Sequence, residues 1–282
     1  MKTRILAALF VVLLLAPSVI AAQKEGIAVG RIRNSASLPG SYLSVLDDMF
    51  ISAIHATGKF NVVERKQLAD IEEEQELAES WKIDQTDPNL ARINQLTGAR
   101  YYVLGNITSF QDEQRRSSFA DMGVTVTERL VRLTMDIRIS DTTTGRVVQT
   151  AVVTREKKDF DTQTPGVSEG SWQSDLVQDV LRETVAAAAL AITDAIFPIE
   201  IITREETDVY LNRGEGGGIK LGMTLDVYRP GKELRDPRTG AVLGTTAKKV
   251  GAVLVQEVLP GHSRAVVIQD EGISSGDICR AQ

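Results

Sequence analysis

The residues best suited to chemistry are few, and none forms a recognised catalytic pattern. Gly214 to Lys220 reads GEGGGIK and is superficially similar to a phosphate-binding loop. That loop requires G-x-x-x-x-G-K-[ST] between a strand and a helix, but Leu221 follows Lys220 and the flanking segments have a β pattern. Because an anion would find no helix N-terminus there, we interpret this segment as a turn.

The two histidines do not indicate a metal or a catalytic triad. His55 lies within a helical pattern and His262 follows a Pro-Gly turn, so neither belongs to an H-x-x-x-H signature. The chain also lacks the G-x-S-x-G elbow of many hydrolases. The glutamates of residues 72–79 are adjacent on a predicted helix, unlike the alternating ligands of a calcium loop. We predict no catalytic residue, no cofactor, no metal and no enzymatic activity.

The first 22 residues have the three-part layout of a secretory signal peptide. Lys2 and Arg4 precede an apolar run of residues 5–15, and small residues follow at Ala21 and Ala22. The run is shorter than the roughly 20 residues of a membrane-spanning helix. The sequence therefore predicts export to the periplasm, with cleavage after Ala21 or Ala22.

The only cysteine, Cys279, is far from this cleavage site. Attachment of a lipid at the mature N-terminus is therefore excluded, as is a disulfide within one chain. We interpret Cys279 as a small apolar residue of the last strand. The net charge of −6, which removal of the leader makes more negative, argues against nucleic acid or anionic lipid as the main partner. Contact with the outer membrane is expected only through a partner.

Residues 25–198 alternate between strand and helix patterns, which is typical of a mixed sheet covered by helices. This region includes a long β-hairpin, in which apolar and polar residues alternate over residues 133–140 and the turn lies at Asp141–Gly145. The other predicted elements are strands at 26–32, 60–63 and 101–110 and helices at 41–57, 66–81, 87–97 and 172–197.

From residue 208 onward, short strands alternate with glycine turns. This composition predicts a small all-β, barrel-like domain over residues 208–282. The charged residues 199–207 are predicted to be a linker between the two domains. The predicted fold class is therefore α/β or α+β, followed by a small β-barrel.

Three segments resemble the curli secretion (CsgG-like) family. They are the strand-to-helix junction Gly58–Ile71, the helix cap and strand Leu96–Ile107, and the hairpin Val131–Val153. Residues 208–282 separately resemble the small C-terminal domain of flagellar assembly T-type proteins, chiefly at Gly222–Lys232 and in the DPRTG turn that follows. These resemblances imply a ring-forming, homo-oligomeric envelope protein with protein partners, which assists assembly or secretion of a curli- or flagellum-like structure.

The sequence leaves three alternative functions open. A CsgG-type outer-membrane pore would need membrane hairpins at residues 111–127 and 154–171, but both stretches carry adjacent charges that would face lipid. A monomeric activator of a peptidoglycan synthase would share the α/β domain without forming a ring. An envelope hydrolase would need His55 or His262 to meet carboxylates in a polar cleft. We expect the family's soluble scaffold without its pore.

Overall fold

The computed structural model describes residues 24–63, 93, 95, 97–119, 121, 123–163, 176–240 and 242–281. The predicted signal peptide and the predicted helix over residues 66–81 lie outside the described residues, as does most of the predicted helix over 87–97. Neither helix for which the structure gives bounds is long and apolar enough to cross a membrane.

The first part of the chain folds around a six-stranded mixed sheet. Its strands are β1 (Glu25–Val29), β2 (Arg33–Asn34), β3 (Phe60–Val62), β4 (Tyr101–Phe119), β5 (Val124–Asp141) and β6 (Val147–Gln163). The order is β3-β1-β4-β5-β6, with β2 also paired to β4. β1 pairs in parallel with β3 and β4, whereas β4, β5 and β6 are antiparallel. Residues 101–105 are all buried, as expected for a central strand with both faces covered.

Two helices cover one face of this sheet. Helix α1 (Gly40–Ala56) buries Leu46, Phe50 and Ile54, which recur every four residues and therefore share one helix face. Gly58, with φ of 69°, follows this helix, as the sequence predicted. Helix α2 (Leu176–Ile196) packs between α1 and strands β5 and β6. The opposite sheet face has its own small cluster, which includes Ala28, Tyr102 and Ile93.

The predicted hairpin is confirmed in β5 and β6. Apolar residues of β5, from Val131 to Ile139 at every second position, point into the core. The Asp141 carboxylate accepts hydrogen bonds from the backbone N–H groups of Thr143 (2.9 Å) and Thr144 (2.8 Å). Gly145 follows at φ 68°. The Asp141 side chain therefore closes the turn of the DTTTG sequence.

The second part of the chain is a closed barrel of six strands in the order β10-β11-β8-β7-β12-β9. The strands are β7 (Ile199–Glu205), β8 (Asp208–Leu211), β9 (Thr224–Arg235), β10 (Val242–Val258), β11 (Ser263–Asp270) and β12 (Ile278–Ala281). Val209, Leu225, Val253 and Cys279 are among its buried core residues. The sheet with its helices and this all-β unit confirm the predicted fold class.

The prediction of a linker over residues 199–207 is wrong. Residues 199–205 form β7, which pairs with β8 and β12 and contributes the buried Ile201 to the barrel core. The charged residues suggested a linker, but β7 is amphipathic. Glu200, Arg204 and Glu205 lie on a strand with apolar positions and do not form a solvent-exposed linker. The barrel therefore begins at Ile199, directly after α2 and Pro198.

Candidate functional site

The sheet extends beyond its core as a three-stranded arm, which we define as residues 109–119, 124–132 and 155–163. β4 is buried through most of residues 101–107 and then exposed over 111–119. The three strands remain in continuous antiparallel register to the far end, where Phe119 pairs with Val124 and Thr125 pairs with Gln163. The arm is thus an ordered platform that is built from the same strands as the core.

Both faces of the arm are charged. Residues paired across strands point to the same side of a sheet. One face carries Glu113, Arg115, Glu128 and Lys158, which together line a shallow depression around Leu130. The neighbouring positions Asp112, Arg129, Lys157 and Asp159 lie on the opposite face, towards α2. The arm therefore offers no continuous apolar face among the described residues.

Ion pairs link the arm strands to each other. Arg129 donates from Nε and Nη2 to the two carboxylate oxygens of Asp112, at 2.8 and 2.7 Å. These bonds hold the pKa of Asp112 below its usual range. Lys158 pairs with Glu128 at 3.0 Å on the other face. Such cross-strand pairs favour one register among several that a polar strand could adopt.

The arm is also tied to helix α2. The Lys157 ammonium lies 3.1 Å from Asp179 and 2.9 Å from Glu183, which are one helical turn apart on α2. The two carboxylates raise the pKa of Lys157. This contact fixes the base of the arm against the helix that covers the core.

The outer edge of β6 is the most apolar part of this surface. Among the described residues, β6 pairs only with β5, so its other edge has no strand partner. Val152 is 69% exposed and Phe160 is 61% exposed, and both lie on the sheet face that points away from α2. Val147 and Val148 are also exposed near the start of the strand. A long strand edge with exposed apolar side chains is a surface that natural proteins usually cover.

The sequence did not predict the arm. Residues 111–119 and 155–163 were not among the predicted strands because they carry adjacent charges instead of the alternating pattern of a half-buried strand. The charges occur on both faces because both faces of the arm meet polar groups or solvent. One feature of the sequence could have indicated the arm: the two charged stretches are equally long. In the structure they pair with β5 on either side, in register.

The second feature is the junction between the barrel and the helices, at which Arg213 is buried. Its guanidinium is held by the Asp194 carboxylate of α2 at 2.9 Å, by the Gly217 carbonyl at 3.1 Å and by the Phe197 carbonyl. Its own carbonyl accepts a hydrogen bond from the Ser263 hydroxyl at 2.6 Å. A buried arginine with this many acceptors connects the end of α2 to the barrel.

Glycines bring the barrel close to both helices. Gly216, with φ of 73°, lies so near α1 that an added Cβ would be 2.4 Å from the Ala56 carbonyl oxygen. A Cβ added to Gly218 would lie 3.0 Å from the Leu190 side chain of α2. Residues 214–220 therefore form a turn, as predicted from the sequence, and this turn packs the barrel against both helices.

Lys59 adds a polar contact to this junction. It donates from Nζ to the Asn212 carbonyl at 2.5 Å, so the start of β3 is joined to the barrel next to Arg213. Burial and the neighbouring Arg213 lower the pKa of Lys59. The Phe60 ring packs against that of Phe197, with centroids 5.5 Å apart. The junction thus combines charged, backbone and aromatic contacts.

A groove of about 500 Å³ lies beside the junction, between α2 and the barrel. Leu190, Met223 and Cys279 contribute apolar surface, and Asp194 and Arg280 contribute charge. Burial, with a smaller effect of Asp277, raises the pKa of the Cys279 thiol to about 12, so this thiol is protonated at neutral pH. Cys279 is buried in the last strand, as its sequence position predicted.

The histidines lie apart from this groove. His55 is exposed near the end of α1, and His262 is half-buried in the turn between β10 and β11, with its ring 6.2 Å from that of Tyr210. Neither is among the residues that line the groove. In the described part of the chain, no three His, Cys, Asp or Glu side chains are grouped so that they could hold a metal ion. The hydrolase alternative therefore gains no support from these residues.

Comparison with known families identifies the class of protein. The model of the family described as "Curli production assembly/transport component CsgG" matches residues 12–206. Since this match covers more than half of the chain, the protein belongs to the CsgG family. The matched region ends within a few residues of the end of β7 and leaves out most of the barrel. The resemblance of residues 208–282 to flagellar assembly T-type proteins stays a prediction.

Solved structures with a similar fold include a dodecamer and a lipoprotein. The PelC dodecamer from Paraburkholderia phytofirmans is 17% identical, and the match covers 59% of this chain and 86% of that one, with a TM-score of 0.30. Lipoprotein GNA1162 from Neisseria meningitidis is 10% identical over 60% of this chain and 99% of its own, with a TM-score of 0.34. The LpoB C-terminal domain from Escherichia coli is 16% identical over 46% of this chain and 82% of its own, with a TM-score of 0.29. No curated protein matches the chain in sequence.

Proposed function

We propose that the protein is an exported, non-enzymatic accessory scaffold that assists assembly or secretion of a surface structure, and that it acts as a homo-oligomer in the periplasm. Its membership of a family named for curli assembly and transport supports an envelope role. The observation that carries the proposal is the arm, an ordered sheet extension with charges on both faces and a long edge that no strand covers among the described residues.

The charges of the arm favour a scaffold over a pore subunit. A membrane hairpin presents one apolar face to lipid, and a charge on that face costs about 2–4 kcal/mol at the midplane. In the arm, Glu113 and Arg115 lie on one face while Asp112 and Arg129 lie on the other. Either face turned towards lipid would bury several charges, so we propose that the arm remains in water.

The β6 edge is the surface that we assign to lateral contacts between protomers. Val152 and Phe160 are exposed on a strand whose outer backbone groups have no strand partner among the described residues. A neighbouring protomer that covered this edge would satisfy those groups and bury the two apolar side chains. Oligomers of this kind are usually closed by symmetry, which is consistent with a ring.

Light scattering on the mature chain tests this proposal. We expect a mass of several protomers for the wild type and a monomer for Val152→Arg combined with Phe160→Arg. The matched control is Ile268→Arg, which replaces a similarly exposed apolar residue on strand β11 of the barrel and should leave the mass unchanged. A monomeric wild type would instead favour the adaptor of a peptidoglycan synthase. An oligomer that tolerates the double substitution would place the interface elsewhere.

A further inference from the structure

A two-stranded hairpin projects from the barrel between β9 and β10, and we call residues 229–249 the basic hairpin. β12 pairs with β9 only at residues 225–228, and β11 pairs with β10 only at residues 251–258. Beyond these positions the two strands pair only with each other among the described residues, from Arg229 with Lys248 to Arg235 with Val242. At about 3.3 Å per residue, the hairpin extends roughly 20 Å from the barrel.

The charge of this hairpin is opposite to that of the rest of the protein. It contains six basic and two acidic side chains, a net charge of +4, in a chain whose net charge is −6. The basic residues are Arg229, Lys232, Arg235, Arg238, Lys248 and Lys249. Because these positive charges are clustered on one projecting element, the local electrostatic potential is positive although the net charge of the chain is negative.

The tip of the hairpin is held in one conformation. The Asp236 carboxylate accepts hydrogen bonds from the backbone N–H groups of Arg238 (2.7 Å) and Thr239 (2.9 Å). These bonds lower the pKa of Asp236, so it stays ionised and keeps the turn closed. Gly240 completes the turn at φ 71° and donates its N–H to the Asp236 carbonyl at 2.8 Å. Arg238 is therefore presented at the end of a preorganised turn.

Half of the basic side chains are available to a partner. Arg229 pairs with Asp277, Arg235 with Glu233 and Lys249 with Asp226. Three others are exposed and make no ion pair within the part of the chain that the structure describes: Lys232, Arg238 and Lys248. Leu234, which is 50% exposed, lies between them along the hairpin.

We propose that the basic hairpin binds the surface of a bilayer that contains anionic phospholipid. Lysines and arginines near such a surface are attracted to the headgroups, and an exposed aliphatic side chain beside them can enter the interface. A single-stranded nucleic acid would require aromatic rings for base stacking. The described exposed part of the hairpin, residues 229–240 and 244–249, contains no aromatic residue. Because the hairpin projects beyond the barrel, its exposed side chains can also reach a flat surface such as a bilayer.

The basic hairpin can approach an anionic membrane although the chain as a whole is acidic. An acidic protein is repelled as a whole by an anionic membrane, but screening limits that repulsion to about 10 Å at 0.1 M salt. The roughly 20 Å length of the hairpin keeps the acidic body beyond that range while Arg238 meets the headgroups. Membrane contact then does not require a partner, and it is independent of whether the chain forms a ring.

Co-sedimentation with vesicles tests the proposal. The mature chain is mixed with vesicles of phosphatidylcholine alone, or with one third phosphatidylglycerol, at low and high salt. We expect binding to the anionic vesicles only, and weaker binding at high salt. The triple variant Lys232→Gln, Arg238→Gln, Lys248→Gln should lower the partition coefficient about a hundredfold, because each basic residue contributes about a fivefold increase. Leu234→Ser should produce a smaller decrease.

The matched control removes the same charge elsewhere, at three exposed basic residues outside the hairpin: Arg146→Gln, Arg182→Gln, Lys220→Gln. This variant should bind anionic vesicles nearly as well as the wild type. Equal loss in both triple variants would overturn the proposal, since only net charge would matter. Binding to soluble polyphosphate without binding to vesicles would also overturn it, and would assign the hairpin to a polyanion.

Discussion

The Arg213 guanidinium of the barrel lies 2.9 Å from the Asp194 carboxylate of α2, and its side chain is only 1% exposed while that of Asp194 is 56% exposed. The pair therefore joins a buried cation to an anion at the protein surface. Burial raises the pKa of Asp194, and the attraction of Arg213 opposes that rise. This pair is the main charged contact between the two parts of the chain that the structure describes.

Replacing Arg213 should loosen the junction. Arg213→Met removes the partner of Asp194 and leaves the carbonyls of Phe197 and Gly217 without their donor. We expect the free energy of unfolding to fall by about 2–4 kcal/mol, less than for a fully buried ion pair because Asp194 reaches solvent. Chemical denaturation followed by tryptophan fluorescence and circular dichroism measures this. Arg264→Met, at a surface pair of the barrel, is the control and should change little. If both variants lowered the free energy of unfolding equally, Arg213 would not stabilise the junction more than a surface arginine does.

Gly216 should tolerate no side chain. Gly216→Ala places a Cβ 2.4 Å from the Ala56 carbonyl oxygen, at a φ of 73°. Gly240→Ala is a matched control because its φ is 71° and no atom lies within 4 Å of the added Cβ. We expect Gly216→Ala to cost about 1–3 kcal/mol more than Gly240→Ala, since only the former adds a clash to the backbone strain. Thermal unfolding of both variants gives this difference, and similar melting temperatures would contradict the close contact.

The sequence predicted elements with a regular apolar pattern and missed those that depend on distant contacts. The β5–β6 hairpin follows from alternation and from Asp141 in its turn, and α1 follows from Leu46, Phe50 and Ile54. The arm was missed because its β4 and β6 segments carry charges on both faces and are positioned by pairing with β5.

The junction was missed for a similar reason. Nothing in the local sequence of Arg213 distinguishes it from an exposed arginine. Its burial results from Asp194, Phe197 and Ser263, which are 16 to 50 residues away along the chain. The turn at residues 214–220 was predicted, but its contact with Ala56 and Leu190 requires the tertiary structure.

Cys279 should be nearly unreactive in the folded protein. Its thiol is buried and its pKa is raised to about 12, so at pH 8 almost none of it is the nucleophilic thiolate. We expect Ellman's reagent to react with the native chain at least about a hundredfold more slowly than with the chain unfolded in concentrated guanidinium chloride. Rapid reaction in both states would mean that the last strand is not fixed in the barrel.

Acid should destabilise the arm through Asp112. Because its folded pKa is below that of the unfolded chain, Asp112 contributes stability above the unfolded pKa of about 3.9, and this contribution is lost as pH falls further. Asp112→Asn should therefore lower stability at pH 7 and make the decrease between pH 5 and pH 2 shallower. Urea titrations across that range measure both effects. Asp48→Asn, at an exposed position of α1, is the control and should reproduce the wild-type pH dependence.

We propose that this member of the CsgG family forms no channel, and release of an encapsulated dye from anionic vesicles tests this most directly. The measurement uses the purified mature chain at its oligomeric mass, with vesicles that it has been shown to bind. We expect bound protein and no dye release above that of empty vesicles, because both faces of the arm carry charges that lipid would have to bury. Dye release that rises with protein concentration and disappears on deletion of the arm would contradict the poreless scaffold and establish a pore.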